Sequence, residues 1–206
     1  KSTIKRALRY LWMNIVFIHN ATKFDADAIF VQSTPPTQGA MAAIIKKKRK
    51  IPFIYNLQDV FPDSLVGAGM TKENSLVYKI GRRIEDYTYR NADRIIVISN
   101  DIKQNIVNKG VSEEKIVVVP NWIDSEKVHP IAKEDNYLFD KYHISKNKYT
   151  VVYAGNLGYA QNIEVIIKSA ELLKQYKDIQ FVIFGKGAQE NEYKEMAVGL
   201  DNIYFF

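Results

Sequence analysis

Apolar positions along the chain alternate between two patterns, a stripe at helical spacing and a short, nearly continuous run of the kind a buried strand carries. The first stripe covers about 3–19, and "ADAIFVQSTPP" (26–36), ending in a double proline, predicts a strand. A helix is predicted over about 37–48, and "IPFIYNLQD" (51–59) is the next strand. The loop "VFPDSLVGAGMTKEN" leads to a helix over about 75–91, where Leu76, Ile80, Ile84 and Tyr87 share a face that Lys79, Arg82, Arg83 and Asp86 avoid. "DRIIVIS" (93–99) reads as a strand covered on both faces, with Ser99 or Asn100 capping the helix that follows and Gly110 ending it. "KIVVVPN" (115–121) is another strand, whereas 122–148 is polar, with Pro130 and Asn147 as turn residues and room for one short helix. Alternation then resumes with strand 150–154, helix 162–177, strand 179–184, helix 189–200 and a last strand from Asn202.

Strands alternating with helices predict an α/β fold with doubly wound parallel sheets and right-handed crossovers. The polar stretch divides the chain into two Rossmann-like units: a first domain over 1–126, a connector over 127–148 and the start of a second domain over 149–206. Both units read as incomplete, and a chain that opens on Lys1 rather than Met is expected to be a piece of something longer or a processed chain.

Charge adds one feature. Lys and Arg number 29 against 23 Asp and Glu, a net +6, and much of the excess sits in Lys46-Lys47-Lys48-Arg49-Lys50. Cations at the end of a helix answer its C-terminal dipole, and the same run would attract an anionic lipid surface. No nucleic-acid partner is expected. The chain has no cysteine, which excludes disulfides and a thiolate nucleophile. His19, His129 and His143 share no metal-ligand spacing, so no metal site built on histidine is expected; no other metal and no cofactor are expected either. Residues 11–18, behind Lys5, Arg6 and Arg9, imitate the start of a signal peptide, and Ala26-Asp27-Ala28 imitates a cleavage site. Asn14 breaks that apolar run, Asp25 and Asp27 flank the mimic, and the run is too short to span a bilayer. It is read as an amphipathic helix inside a domain, whose Tyr10, Trp12 and Phe17 suit either a core or a bilayer surface.

Ligands of open α/β sheets collect at the carboxyl ends of the strands. That rule selects Ser33-Thr34-Pro35-Pro36, Gln58-Asp59, Ser99-Asn100, Gly155-Asn156 and Gly185-Lys186-Gly187. Asp25-Ala26-Asp27 imitates a metal–diphosphate pair but precedes its strand, and is rejected. Gly185-Lys186-Gly187-Ala188-Gln189-Glu190 has Glu190 where a dinucleotide fingerprint needs its third glycine, and Gln180 and Gly187 stand where a P-loop needs Gly and Ser or Thr. What remains is a glycine turn that lets a backbone approach a ligand, or only a turn. Gln58-Asp59 is either a polar ligand for a hydroxylated substrate or a loop cap. The turn Gly155-Asn156-Leu157-Gly158-Tyr159-Ala160-Gln161 sits where an anion could meet a helix N-terminus, yet it contains no cation.

Several of these stretches together resemble the retaining nucleotide-sugar glycosyltransferases of family 4, which have the two-Rossmann GT-B fold. They are "IPFIYNLQDVFPDS", "EDYTYRNADRIIVISNDIKQNIVNKGVSEEKIVVVPNWID", "VVYAGNLGYAQNIEVIIKSAELL" and "FVIFGKGAQ". The wording "NLQDVFPDS", "PNWID" and "YAGNLGYAQN" is most similar to the bacterial surface-polysaccharide branch with L-fucosamine and colanic-acid-type transferases.

The resemblance implies an acceptor-binding first domain, a donor-binding second domain and reaction in the cleft between them. The donor would be a nucleotide diphosphate sugar and the acceptor a glycan, lipid-linked, at the cytoplasmic membrane face. Gly155 matches the glycine after the first donor-domain strand, while Asn156 and Gln161 fall where most members carry Arg and Lys on the donor diphosphate. Gly185 and Gly187 match the G-x-G loop near the nucleotide, and Gln58-Asp59 stands where many members have His-Asp. Pro120-Asn121-Trp122-Ile123-Asp124 corresponds to Pro-Asn-Gly-Val-Asp. Gln58 and Asp59 are therefore the expected catalytic pair, Gly155, Asn156, Gln161, Gly185 and Gly187 the donor site, and Thr34, Pro35, Ser99 and Asn121 the acceptor side. The family's Glu-x7-Glu element would lie beyond Phe206 and its first glycine-rich loop before Lys1, so this piece alone is expected to be inactive. Two rivals stay open: a GT-B nucleotide-sugar epimerase, and a non-enzymatic module that binds membrane surfaces through residues 46–50.

Overall fold

The computed structural model describes residues 3–206, which form two units, one ending at Trp122 and one beginning at Ile123. In the first, helix α1 (Thr3–Ala21) leads to strand β1 (Ile29–Gln32), then α2 (Gln38–Arg49), β2 (Phe53–Leu57), α3 (Asp63–Gly67), α4 (Leu76–Asn91), β3 (Arg94–Val97), α5 (Asn100–Asn108) and β4 (Ile116–Val118). The strands pair in parallel in the order β1-β2-β3-β4. Phe53, Tyr55, Leu57, Ile95 and Val97 point to one face, where Ala42 and Ala43 of α2, Tyr89 of α4 and Ile106 of α5 close the core. The opposite face carries Phe30, 60% exposed, with half-buried Ile54, Asn56 and Ile96.

The second unit holds α6 (Tyr137–Lys141), β5 (Tyr149–Ala154), α7 (Glu164–Leu172), β6 (Ile179–Phe184), α8 (Glu190–Met196) and β7 (Ile203–Phe205), with the parallel order β5-β6-β7. Ile163, Ile167, Ala170 and Tyr193 cover Phe181, Ile183 and Ile203 on one face. The stretch expected as a connector covers part of the other. Gln180, buried in β6, donates to the Ser145 carbonyl at 2.6 Å and to Thr150 Oγ1 at 2.9 Å. The Tyr142 ring meets Phe184 and Phe206 at 4.9 and 4.7 Å. In each sheet the strands add in one direction, so no strand-order reversal falls among the described residues.

Element order follows the alternation read from the sequence, with several elements shorter than expected. The strand expected over 26–36 is only Ile29–Gln32, and the helices expected over 162–177 and 189–200 shrink to Glu164–Leu172 and Glu190–Met196. Asn162 has φ 47°, which delays the start of α7. The loop after β2 contains α3, which the apolar pattern did not signal.

The buried face of α4 is a correction. Leu76 and Ile80 are 72% and 47% exposed, and the covered residues are Gly81, Glu85, Thr88 and Tyr89. Close approach decides this. A Cβ at Gly81 would stand 2.9 Å from Phe61 and Pro62 atoms, and one at Gly39 on α2 would stand 2.8 Å from the Tyr55 ring and crowd Thr88. Glu85 is tolerated inside because Tyr89 Oη donates to its Oε1 at 2.7 Å, Lys109 Nζ does so at 3.0 Å, and Arg82 bonds its Oε2.

Candidate active site

In the first unit, β1 and β2 end beside each other, and their last residues are tied together. Ser33, buried, donates its backbone N–H to the Asn56 carbonyl at 3.0 Å and accepts the Gln58 N–H on its hydroxyl at 3.1 Å. Gln58 Nε2 donates to Asn56 Oδ1 at 2.8 Å, a bond that fixes one end of the Gln58 amide and leaves Oε1 as an acceptor. Asn56 escaped the sequence reading because it sits inside an apolar strand; the signal available was a polar residue two positions before Gln58, on the same strand face. Asp59 and Thr34 are exposed and Pro35 is half-buried, its carbonyl accepting the Gln38 N–H at 3.0 Å. Ser99 caps α5, accepting the Ile102 N–H at 3.2 Å, so its hydroxyl oxygen has a structural task. Asn121 is exposed beyond β4.

The tie between α3, α4 and α5 lies under the loop that follows Gln58-Asp59. Asp63 accepts hydrogen bonds from Tyr78 Oη at 3.1 Å and Asn105 Nδ2 at 3.1 Å, and pairs with Lys109 Nζ at 2.7 Å. Partial burial pushes the Asp63 carboxyl up, but the bonds from Lys109, Asn105 and Tyr78 outweigh it and hold the group below the usual carboxylate range. Burial first, then Glu85, pushes the Tyr89 hydroxyl far up, so it stays a donor.

The second unit shows what the glycines are for. A Cβ at Gly185 would collide with the Gly155 carbonyl, and one at Gly187 would lie 2.7 Å from the Leu157 nitrogen. The G-x-G loop is thus packed backbone against backbone on the turn after β5. Gly155 N–H donates to Phe184 O at 2.9 Å, Leu157 N–H to Lys186 O at 3.0 Å, and Gln189 N–H to Leu157 O at 2.9 Å. Tyr153 Oη donates to Asn156 O at 2.9 Å, Tyr193 Oη to Gly158 O at 3.3 Å, and the Leu157 side chain is 1% exposed.

The turn is therefore pinned through the carbonyls of Asn156, Leu157 and Gly158, the N–H groups of Gly155 and Leu157, and the Leu157 side chain. Among the described residues, the backbone N–H groups of Asn156, Gly158, Tyr159 and Ala160 meet no protein acceptor. The exposed side chains of Asn156 and Gln161 converge over Gly158, where a Cβ would stand 2.8 Å from Asn156 Nδ2 and 3.0 Å from Gln161 Oε1. Helix α7 begins just beyond, with no side chain capping its N-terminus. Lys186, on the loop that grips the turn, is exposed and forms no ion pair among the described residues, a cation that reading the turn alone missed.

The basic run is partly spent on structure. Lys46 Nζ pairs with Asp93 at 2.7 Å and donates to the Asn91 carbonyl at 2.9 Å, and Arg49 reaches Asp25 at 3.4 Å. Lys47 Nζ lies 4.9 Å from the Tyr87 ring centre, and Lys47, Lys48 and Lys50 are exposed. On α1, Leu8, Trp12 and Ile15 are 61%, 66% and 61% exposed, a stripe at helical spacing. Among the described residues no helix is long and apolar enough to cross a membrane, and no group of three His, Cys, Asp or Glu stands ready for a metal ion. An apolar cleft of about 590 Å³ between α1, β1 and α2 has no titratable side chain among the described residues that line it.

Comparison with known proteins places this geometry. A family profile described as glycosyl transferase 4-like domain matches residues 3–122, and one described as glycosyl transferases group 1 matches 135–206. The probable glycosyltransferase WbjE of Pseudomonas aeruginosa is 33% identical over 142 residues, which cover 69% of this chain and 35% of WbjE. The putative colanic acid biosynthesis glycosyl transferase WcaI of Escherichia coli is 27% identical over 158 residues, covering 74% of this chain and 39% of WcaI. The chain thus spans little more than a third of the length of these relatives. In fold it is similar to Anabaena HepE in complex with UDP and glucose, with a TM-score of 0.72 at 15% identity over 94% of this chain and 50% of HepE. It is also similar to the UDP-GlcNAc 2-epimerase of Neisseria meningitidis, with a TM-score of 0.57 at 16% identity over 94% and 53%. Fold likeness therefore does not separate transferase from epimerase; the sequence matches do, and by them this chain belongs to the glycosyl transferase 4-like family of GT-B-fold glycosyltransferases.

Proposed function

We propose that the protein transfers a sugar from a nucleotide diphosphate sugar to a glycan acceptor, with the second unit holding the donor and the strand ends of the first unit facing the acceptor. The observation that carries this reading is the pinned turn at 155–161. Among the described residues its N–H groups at Asn156, Gly158, Tyr159 and Ala160 meet no protein acceptor beside the N-terminus of α7, a preorganised set of donors for a diphosphate. As the bond to the sugar breaks, negative charge grows on the departing diphosphate, and fixed donors stabilise it without rearranging. Asn156 and Gln161 add amide hydrogen bonds, and Lys186 supplies the cation that the turn lacks. No resident metal or cofactor enters this reading.

Gln58, held at one end by Asn56, acts by hydrogen bonding to a sugar hydroxyl, and Asp59 stands exposed beside it. Retention of configuration, a lipid-linked acceptor and a position on the inner membrane face follow from the family resemblance. The exposed Lys47, Lys48 and Lys50, with Leu8, Trp12 and Ile15 of α1, would make the membrane contact.

Because HepE was crystallised with UDP, UDP and UDP-glucose are the first probes. Titrating either into the isotopically labelled chain should shift the amide signals of Asn156, Gly158, Tyr159 and Ala160 saturably. Shifts confined to other residues, or none with UDP, GDP or their sugars, would sink the donor assignment.

A further inference from the structure

A polar cavity of about 530 Å³ opens where α4, the end of α5 and the turn into β4 meet. Arg82, Arg90, Lys109 and Lys115 line it, with Asp86 as the only carboxylate among the described residues on the wall. Two of these cations are already compensated: Arg82 by Glu85 and Asp86, and Lys109 by Asp63 and Glu85. The other two are not held by an ion pair, although Lys115 adds to the positive charge that holds the Asp93 carboxyl low. Arg90 Nε donates to the Asp86 carbonyl at 3.2 Å, and Lys115 Nζ to the carbonyls of Ala92 at 3.1 Å and Arg90 at 3.4 Å. Among the described residues neither forms an ion pair.

These backbone bonds are what cations at a helix C-terminus commonly make. They do not use up the donors: the terminal nitrogens of Arg90 and a third hydrogen on Lys115 remain. Gly110, with φ 90°, turns the chain off α5 and brings Ser112 to the wall. Ser112 precedes a 3-10 turn (Glu113–Lys115) that its hydroxyl does not cap, so that hydroxyl is available to a ligand.

We propose that this cavity binds a phosphate-bearing anion, with Arg90 and Lys115 as its cations, Ser112 as a hydrogen-bond donor, and Arg82 and Lys109 as fixed flanking charges. Ala92 and Lys115 precede β3 and β4, so the cavity lies at the opposite strand ends from Ser33 and Gln58. The inference stands apart from the transferase reading. Lys46 bonds to the Asn91 carbonyl beside it, so the exposed Lys47 and Lys48 belong to the same end of the unit and extend its positive field. A phospholipid headgroup and a soluble phosphate offer the same chemistry.

Two probes separate those sources: pyrophosphate titrated into the labelled chain, and co-sedimentation with phosphatidylcholine vesicles with and without phosphatidylglycerol. A soluble ligand predicts saturable shifts of the Gly110, Val111 and Ser112 amides with pyrophosphate. A headgroup ligand predicts phosphatidylglycerol-dependent sedimentation. In either case the double variant Arg90→Gln, Lys115→Gln should weaken binding roughly tenfold or more, the usual scale for lost charged hydrogen bonds. Lys115 also closes the end of α4, so Arg90→Gln alone, checked for an unchanged unfolding midpoint, should weaken binding in the same direction. Lys47→Gln with Lys48→Gln should leave the pyrophosphate shifts in place. Absence of both kinds of binding, or binding that Arg90→Gln leaves unchanged, overturns the proposal.

Discussion

Gly187 packs against Leu157 so closely that a Cβ at residue 187 would lie 2.7 Å from the Leu157 nitrogen and closer still to its carbonyl. The atoms it would strike are backbone, which cannot rotate away. Gly187→Ala should therefore destabilise the second unit by about 2–3 kcal/mol or more, the upper range for overpacking. Gly67→Ala, at a site with nothing within 4 Å, should stay within about 0.5 kcal/mol of the parent. Urea unfolding of both variants checks the contrast, and an equal cost would remove the packing role assigned to Gly187.

How much of this was legible in the sequence depended on what each residue packs against. Runs such as "DRIIVIS" announce themselves, because a strand with Ile95 and Val97 facing the core needs little context. Helix α4 misled, because Leu76 and Ile80 are apolar at the right spacing while the close contacts belong to Gly81, Thr88 and a paired Glu85. Hydrophobic spacing does not register a helix that packs through a glycine, nor a carboxylate that enters the core with its partners. The site divided likewise. Gly155, Gly185 and Gly187 were located as a turn and a loop, but that the loop closes on the turn required the partner atoms. Asn56 is tied to Gln58, and Lys186 to Leu157, by contacts that only folding supplies.

Lys186 is exposed and forms no ion pair among the described residues, and its carbonyl holds the Leu157 N–H at 3.0 Å. If it provides the cation for the diphosphate, Lys186→Ala in the full-length protein should raise the donor KM about tenfold, as expected for a lost charge-assisted hydrogen bond. Stability should hardly move, since the side chain is not packed. Donor KM unchanged within twofold would return the turn to its amides and backbone alone.

Asn56 Oδ1 accepts from Gln58 Nε2 at 2.8 Å, which makes Asn56 a positioning residue for the amide beyond β2. Asn56→Ala should lower kcat with little change in donor KM, and Asn56→Asp, which keeps an acceptor oxygen, should recover part of the loss. A purely structural role would instead give equal losses in both variants that track a lower unfolding midpoint.

Glu85 sits 6% exposed, bonded by Tyr89, Lys109 and Arg82. Removing it leaves Lys109 and Arg82 short of counter-charge in a poorly solvated place. Glu85→Ala should cost about 3 kcal/mol, the scale for breaking a buried ion pair from one side. Adding Lys109→Ala should cost less than the sum of the two single changes, because the second removes the orphaned charge. Additive costs in a denaturant double-mutant cycle would dissolve the coupling.

Asp63 gives the fold an acid limit. Its carboxyl is held below the unfolded value of about 3.9, because the bonds from Lys109, Asn105 and Tyr78 favour the charged form more than partial burial opposes it. A depressed folded pKa means that the unfolded chain takes up the proton first. The stabilisation is therefore complete above the unfolded pKa and drains away as pH falls through the lower folded one. Stability of the parent should decline below about pH 4 with a contribution from this group. Asp63→Asn should start less stable at neutral pH, with Lys109 left to Glu85 alone, and should show a shallower decline below that point. Urea midpoints measured from neutral pH down through the carboxylate range test it: parallel curves for the two proteins would mean that Asp63 titrates alike folded and unfolded, and that its three partners do not hold its charge.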